Sequence, residues 1–416
     1  MSALVVRPAG PLAGTVTVSG AKNSVLKLLA ATVLAPGRHR LHNVPDIADV
    51  TWMAELLAAM GLTTERPAPG ELVIDTPETV LPEAPYELVE KMRASIVVLG
   101  PLVARHGRAR VSMPGGDDFG SRPIDLHLRA LEALGATIRL EHGFVEARAD
   151  RLRGAPIALD FPSVGATENA LMAAVLAEGV TTIENAAREP EIVDLASFLN
   201  RMGAVIRGAG SSLIEIEGVP DLHPVEHTLI PDRIEAATYL AAVGIAGGEI
   251  TIAGARPDHM DLLVHKLGQM GMRISPSNEG LWAMAPRRLS SVDVSTLPYP
   301  GIATDYKPLL VAMLAVADGV AIVTENIFAG RFRYVDELVR MGADVRTDGH
   351  HAIVRGRDQL SGAPVRAHDI RAGAAVVLAA LRARGETVIS DAHHLDRGYE
   401  RFVDKLRGIG VDIERK

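Results

Sequence analysis

The sequence predicts an α/β protein of two similar lobes, each made of three repeated α/β units around buried helices. Two glycine series and the chain length carry that expectation. In the first series a helix ends on Leu or Met (Ile409 in the last copy) followed by Gly61, Gly135, Gly203, Gly271, Gly342 and Gly410. The intervals are 74, 68, 68, 71 and 68 residues. A second series keeps step, with apolar helical stretches ending at Gly37, Gly107, Gly179, Gly247, Gly319 and Gly385. Two series in phase mean one supersecondary unit used six times. Glycine suits these positions because a helix commonly closes on a residue with φ > 0, which glycine adopts without a Cβ clash. At 416 residues the chain exceeds what a single core usually holds.

The stretch from Gly179 to Gly247 serves to justify each element. Val180–Glu184 alternates as a strand, and Asn185–Pro190 reads as a loop. Ile192–Met202 is an amphipathic helix stopped by Gly203. Ala204–Arg207 and Leu213–Glu217 alternate as a second and third strand around the turn-rich Gly208–Ser212. Pro231–Ile245 is apolar on all sides, so it must be buried as a helix on nearly every face. Six such helices in two groups of three account for two lobes.

Composition removes several function classes. There is no cysteine, so disulfides, thiolate metal sites and a cysteine nucleophile are excluded. The net charge of −8 and 4% aromatic content argue against a nucleic-acid partner. No apolar run approaches the roughly 18 residues a membrane span requires. Residues 1–15 lack the basic-then-apolar order of a secretion signal. A cytoplasmic protein with no membrane association is expected. His350-His351 and His393-His394 lack the spacing of helical ligands and read as loop residues, and no metal site is expected.

The informative exceptions are charges at the starts of the apolar helices. Lys22 and Asn23 follow Gly20, and Arg93 sits early in the second helix. Asp232-Arg233, Asp305-Tyr306-Lys307 and Asp369-Ile370-Arg371 open the last three. Aspartates there are ordinary caps. Lys22 and Arg371 are not, because a helix N-terminus already carries a partial positive charge. A cation added there is explained by an anion held between them. A second set of charges follows the first strand of each unit: Asp117, Arg122, Arg188, Glu189, Arg331 and Arg397. Loops at equivalent places in repeats share a face. Arginines converging on a cleft between lobes suit a small polyanionic substrate. The loop 114–123 holds three glycines and the adjacent acids Asp117 and Asp118, as expected of a mobile lid bearing a carboxyl raised by like-charge repulsion and able to donate a proton.

With these residues on the page, the chain resembles the UDP-N-acetylglucosamine enolpyruvyl transferases (1-carboxyvinyltransferases) of the EPSP synthase family along essentially its whole length. The resemblance rests on Gly20-Ala21-Lys22-Asn23-Ser24, Met92-Arg93-Ala94-Ser95, the Pro114–Pro123 loop with Ile124-Asp125-Leu126-His127, and Ser163-Val164-Gly165-Ala166-Thr167. It continues through Glu184–Glu191, Pro231-Asp232-Arg233, Thr304-Asp305, Arg331-Phe332, Asp369-Ile370-Arg371-Ala372 and Asp396-Arg397-Gly398-Tyr399-Glu400. It implies an inside-out α/β barrel, the enolpyruvyl transferase fold, with residues 1–20 plus 232–416 in one lobe and 21–231 in the other. The first would carry Asp305, Arg331, Arg371 and Arg397; the second would carry Lys22, the mobile loop and the uridine site.

The resemblance also implies roles. Lys22, Arg122 and Arg397 would hold phosphoenolpyruvate, with Asn23 and Arg371 in the same anion pocket. Asp305 would be the base at the sugar 3-hydroxyl. Arg122, Pro123, Ile124, Asp125 and Leu126, with Phe161, Pro162, Ser163 and Val164, would bind uridine and diphosphate; Arg93, Ile327 and Arg331 would also line the site. The implied reaction is addition–elimination without a cofactor or metal, on phosphoenolpyruvate and UDP-N-acetylglucosamine, with no obligate protein partner. Two departures stand out. Asp117 occupies the place of the cysteine most members carry, which implies a carboxylic acid as proton donor and insensitivity to fosfomycin. Tyr306-Lys307-Pro308 follows Asp305 where members more often have an apolar residue and Gln, which opens a question about the acceptor site. Another uridine acceptor such as UMP, or a non-catalytic nucleotide-sugar binder, stays open as an alternative.

Overall fold

The computed structural model describes residues 2–116, 123–328 and 330–416, and these form two compact units. One contains residues 2–19 and 231–416; the other contains residues 20–116 and 123–230. Asp117, Asp118 and Arg122 lie outside the described residues.

Both glycine series have the positive φ expected of them, but in the second series only Gly107 and Gly247 close a helix. Gly37, Gly179, Gly319 and Gly385 instead follow a turn after the helix end and lead into a strand. All twelve have positive φ, from 66° at Gly107 to 114° at Gly37. Where the first series closes a helix, the next residues enter a strand, as at Gly203 before Val205–Arg207. The repeat is therefore set by backbone chirality, since an L-residue at these angles carries a steric penalty.

Each repeat builds a four-stranded sheet, one strand more than the sequence suggested. In one repeat Pro156–Ala158 runs parallel to Val180–Glu184, which pairs antiparallel with Leu213–Glu217, which pairs antiparallel with Val205–Arg207. The register sets Thr181 opposite Ile216 and Ile183 opposite Ile214, all four buried, so one face of the sheet lies against the core. Six sheets share this order. Three are completed by strands distant in sequence, one of them by Leu12–Thr17, which runs parallel to Gly248–Ala253. Leu4–Val6 sits between Thr387–Ser390 and Ile413–Arg415, and Glu226–Thr228 runs parallel to Gly37–His42.

The apolar helices are buried as their composition requires. Every residue of Arg233–Ala246, Lys307–Leu314 and Ile370–Ala380 is buried, and these three pack on one another in the first unit. In the second unit Lys22–Ala31, Leu99–His106 with its leading turn Arg93–Val98, and Val164–Ala174 occupy the equivalent places. Each unit has its own continuous core. Boundaries shift slightly from the sequence reading. The helix expected over Pro231–Ile245 starts at Arg233, because Asp232 caps it by accepting from the Ile234 and Glu235 amides at 2.7 and 3.0 Å. His351 belongs to the strand His351–Arg355 rather than a loop, and His393-His394 lie in the short helix Ala392–Arg397. Among the described residues no helix is long and apolar enough to cross a membrane.

Two outcomes follow for stability. An added Cβ at Gly61, Gly135, Gly271 or Gly410 meets nothing within 4 Å, so each Gly→Ala change costs only the backbone penalty, about 1–2 kcal/mol. At Gly20 and Gly218 that Cβ would lie 1.7 Å from the Asn43 carbonyl oxygen and 1.6 Å from that of Ala177, so these substitutions unfold the protein at far lower urea than the first group. The second outcome concerns His39, buried with Nε2 3.1 Å from the Ala35 carbonyl oxygen. Burial pushes its imidazole down to about 4 from 6.5, so between those values the unfolded chain takes up a proton that the folded one refuses. Stability is lost as pH falls through that window, and His39→Gln flattens this part of a melting-temperature profile measured against pH.

Candidate active site

In the first unit the charged helix starts converge. Asp305 stands just before Lys307–Leu314, with Tyr306 as the cap residue, so it caps nothing by its side chain. It faces two arginines: Arg331 Nη1 donates to Oδ1 at 2.8 Å, and Arg371 Nε donates to Oδ2 at 3.2 Å. Capping, the ordinary reading of all three aspartates, holds for Asp232 and Asp369 but not here. Asp369 accepts from the Arg371 and Ala372 amides, both at 2.8 Å, and so fixes the first turn that carries Arg371.

The electrostatics follow from this packing. Burial pushes the Asp305 carboxyl up, but Arg331 and then Arg371 outweigh it and hold the group far below the usual carboxylate range. Arg331 and Arg371 are themselves buried and held in the charged form against desolvation, Arg331 chiefly by Asp305 and Arg371 by Tyr399 and Asp305. The Arg371 guanidinium lies 5.2 Å from the Tyr399 ring centroid. Its Nη1 is buried without a hydrogen-bond partner among the described residues, a donor left unused in this state.

Two further predicted residues of this unit sit on neighbouring elements. Arg397 is buried at the end of Ala392–Arg397, which packs on the helix bearing Arg371. Ile327 is half-buried, and its amide donates to Glu325 Oε1 at 2.8 Å. Lys307 does not approach Asp305. Its ammonium is fully buried 2.8 Å from Glu325 Oε2, which accounts for a cation in an otherwise apolar helix. Glu325 was not foreseen, although an isolated lysine on a buried helix requires a partner of this kind.

In the second unit Lys22 is the first residue of Lys22–Ala31, and its ammonium lies 2.9 Å from Asp49 Oδ2. Asp49 is fully buried, so part of the anion demanded by a cation at a helix start is supplied by the protein itself. Asn23 is half-buried beside it, and Lys27 donates to its carbonyl oxygen at 3.2 Å and to Glu168 at 3.0 Å. Burial pushes the Glu168 carboxyl up to about 7 against the pull of Lys27. Asp49 and Glu168 were also missed, since neither carries a local signal.

Arg93 and the two proposed uridine segments are neighbours. Arg93 Nη2 donates to the Pro123 carbonyl oxygen at 3.3 Å. Ile124 precedes the helix Asp125–Ala133, in which Leu126 is half-buried, and Asp125 pairs with Arg129 at 3.6 Å. Arg129 also reaches Asp160 at 2.9 Å, next to exposed Phe161 and half-buried Pro162. Ser163 caps the helix that starts at Val164, accepting from the Ala166 amide at 3.3 Å. A Cβ at Gly165 would lie 2.8 Å from the His127 ring, so glycine is what lets these two helix starts approach. Burial, with Arg93 and Lys27 adding to it, pushes His127 down to about 4; the ring is neutral and accepts from Asn169 Nδ2 at 2.8 Å. Two adjacent helix N-termini offer backbone amides to a phosphate.

The described arm of the glycine-rich loop is packed. A Cβ at Gly115 would meet the Glu90 carbonyl oxygen at 2.1 Å, and Gly116 has φ 97° with its amide bonded to that same oxygen at 3.0 Å. Glycine is required there by close approach rather than for freedom. Among the described residues no group of three or more His, Cys, Asp or Glu gathers in a metal-holding arrangement.

Comparison with known proteins places this geometry. The family model of EPSP synthase (3-phosphoshikimate 1-carboxyvinyltransferase) matches residues 6–406. A UDP-N-acetylglucosamine 1-carboxyvinyltransferase of Mycobacterium bovis is 53% identical over 412 residues, covering 99% of this chain and 98% of the relative. Its namesake from an Anaeromyxobacter species is 52% identical over 420 residues, covering all of both. Among solved structures, the enolpyruvyl transferase NikO of Streptomyces tendae superposes with a TM-score of 0.90 at 29% identity, over 100% of this chain and 99% of that one. An EPSP synthase of Acinetobacter baumannii, at 19% identity and a TM-score of 0.76 over the whole of both chains, shares the fold. The chain belongs to the EPSP synthase family and, within it, to the UDP-N-acetylglucosamine 1-carboxyvinyltransferases.

Proposed function

We propose that this protein transfers the enolpyruvyl group of phosphoenolpyruvate to the 3-hydroxyl of UDP-N-acetylglucosamine and releases phosphate, the first committed step of peptidoglycan synthesis. The observation that carries the reading is the carboxylate Asp305 gripped by Arg331 and Arg371, in a chain 53% identical to enzymes bearing that activity in their name. The substrates are soluble metabolites, and we place the reaction in the cytoplasm.

The chemistry requires a base, an acid and a cationic clamp. Lys22, Asn23, Arg122, Arg371 and Arg397 act as the clamp on phosphoenolpyruvate, whose phosphate and carboxylate suit planar, bidentate arginines. The starts of Asp125–Ala133 and Val164–Ala174, with Pro123, Ile124, Leu126 and Phe161 to Ser163, take the uridine and diphosphate. Asp305 accepts the proton of the 3-hydroxyl as that oxygen attacks C2, and Asp117 protonates C3. The resulting tetrahedral adduct then loses the C3 proton and phosphate, restoring the double bond.

Held by two arginines, Asp305 is a poor base. An anionic substrate that engages the unused Nη1 of Arg371 draws the guanidinium away from Asp305 and restores basicity to the carboxylate. Phosphoenolpyruvate then both supplies the electrophile and switches on the base.

Three outcomes test the reading. Purified enzyme releases phosphate from phosphoenolpyruvate with UDP-N-acetylglucosamine and not with UMP; turnover of UMP alone would reassign the acceptor. Asp305→Asn lowers kcat by about 10²–10⁴-fold and leaves KM for phosphoenolpyruvate within a few-fold, as removal of a base should. Fosfomycin leaves the enzyme active, whereas Asp117→Ala is inactive and Asp117→Cys regains turnover and becomes sensitive to the drug. An active Asp117→Ala would remove the aspartate from the proton-donor role.

A further inference from the structure

The buried ion pair behind Asp305 is the part of this unit that the reaction does not use directly. Lys307 Nζ makes three contacts: Glu325 Oε2 at 2.8 Å, the Arg331 carbonyl oxygen at 2.5 Å, and the face of the Phe332 ring at 3.9 Å. Glu325 in turn gathers two stretches of chain. Its Oε1 accepts from Thr296 Oγ1 at 2.7 Å, the Ile327 amide at 2.8 Å and the Phe328 amide at 3.1 Å. Its Oε2 accepts from Thr304 Oγ1 at 2.8 Å. Thr304 Oγ1 receives Arg331 Nη1 at 3.1 Å, the same nitrogen that holds Asp305. An unbroken polar chain thus runs Lys307, Glu325, Thr304, Arg331, Asp305, Arg371.

We propose that Lys307 is a positioning residue for this reaction: paired with Glu325, it holds Glu325–Phe328 and Arg331 so that Arg331 meets Asp305 and the Ile327–Phe328 backbone keeps its place. The inference rests on the reading of Asp305 as the base. Geometry supports it in two ways. Lys307 binds both of these parts, through the side chain of Glu325 and the backbone of Arg331, which a lone surface contact would not do. The pair is also closed to water, since both side chains have no exposed surface, so its attraction is not screened.

The charged groups facing the Lys307 ammonium are Glu325, Arg331 and Asp369, and the rings nearest it are Phe332 and Tyr334. Burial pushes the ammonium down to about 8, chiefly opposed by Glu325. Lys307, the Thr296 and Thr304 hydroxyls keep Glu325 ionised despite burial. Above that pH the ammonium is lost, Glu325 stands as an uncompensated buried carboxylate, and the hold on Glu325–Phe328 and Arg331 loosens.

The test compares wild type with Lys307→Met, Glu325→Gln and the neutral double variant Lys307→Met/Glu325→Gln. Turnover of the wild type by phosphate release is scored first, and its absence would refute the proposed function, whereas the placement of Arg331 by Lys307 is read separately. That inference is read from crystal structures of the variants, where Lys307→Met should show Arg331 withdrawn from Asp305. In kinetics, Lys307→Met should lower kcat about 10- to 100-fold, as a misplacement of about 1 Å does. The double variant should regain the melting temperature but not kcat, and its pH–rate profile should lack the alkaline fall expected of the wild type near pH 8. An unmoved Arg331 in Lys307→Met would overturn the inference. So would recovery of both melting temperature and kcat in the double variant, which would leave Lys307 a purely compensating charge.

Discussion

A charge on a helix buried on all sides must be matched inside the protein, and that constraint organises the structure. The six central helices are apolar because they are almost wholly buried, and in five of them the charges sit in the first or second turn: Lys22 and Lys27, Glu168, Arg233 and Glu235, Lys307, and Arg371; Leu99–His106 instead carries Arg105 and His106 in its last turn. Their partners come from other elements. Asp49 answers Lys22, Lys405 answers Glu235 at 2.6 Å, Glu325 answers Lys307, and Asp305 answers Arg371. Unmatched, such a charge costs several kcal/mol, so each helix start is pinned by the contact that neutralises it. In those five the charged side chains are thereby confined to the N-terminal end of the helix.

The same constraint shapes reactivity. Two arginines hold the Asp305 carboxyl far below the usual carboxylate range, which in the role of base proposed for it leaves it weak until substrate binds. In the proposed reaction a substrate anion competes for the same guanidiniums, and binding energy spent there returns as a stronger base. Lys307 and Glu325 keep that balance fixed by tying the arginine segment to the strand and helix on either side. Stability and readiness for chemistry depend on one hydrogen-bonded chain.

Much of the fold was legible because its signals are local. Chirality favours glycine at the twelve positive-φ positions, and full burial demands apolar helices, so both repeat visibly along the chain. Asp232 and Asp369 declare themselves as caps by lying next to the first turn they serve. The strands Leu4–Val6 and Glu226–Thr228 were not legible, being three residues long and completing sheets whose other members lie far away in sequence. The surroundings of Asp305 were not legible, because capping and pairing look alike until Arg331 and Arg371, 26 and 66 residues distant, are seen on its two oxygens. Glu325, Asp49 and Glu168 were invisible for the same reason: only tertiary contact distinguishes them from solvated acids. Asp117 and Arg122 stand on sequence alone.

The most direct measurement is the ionisation of Asp305 itself, followed by carbon NMR of enzyme labelled at the aspartate γ-carbons, with Asp305→Asn used to assign the signal. The account predicts a carboxyl that stays ionised down to the pH at which the protein unfolds, and whose titration moves upward when phosphoenolpyruvate is bound. A carboxyl that titrates near the ordinary value of about 3.9 and ignores the substrate would contradict it.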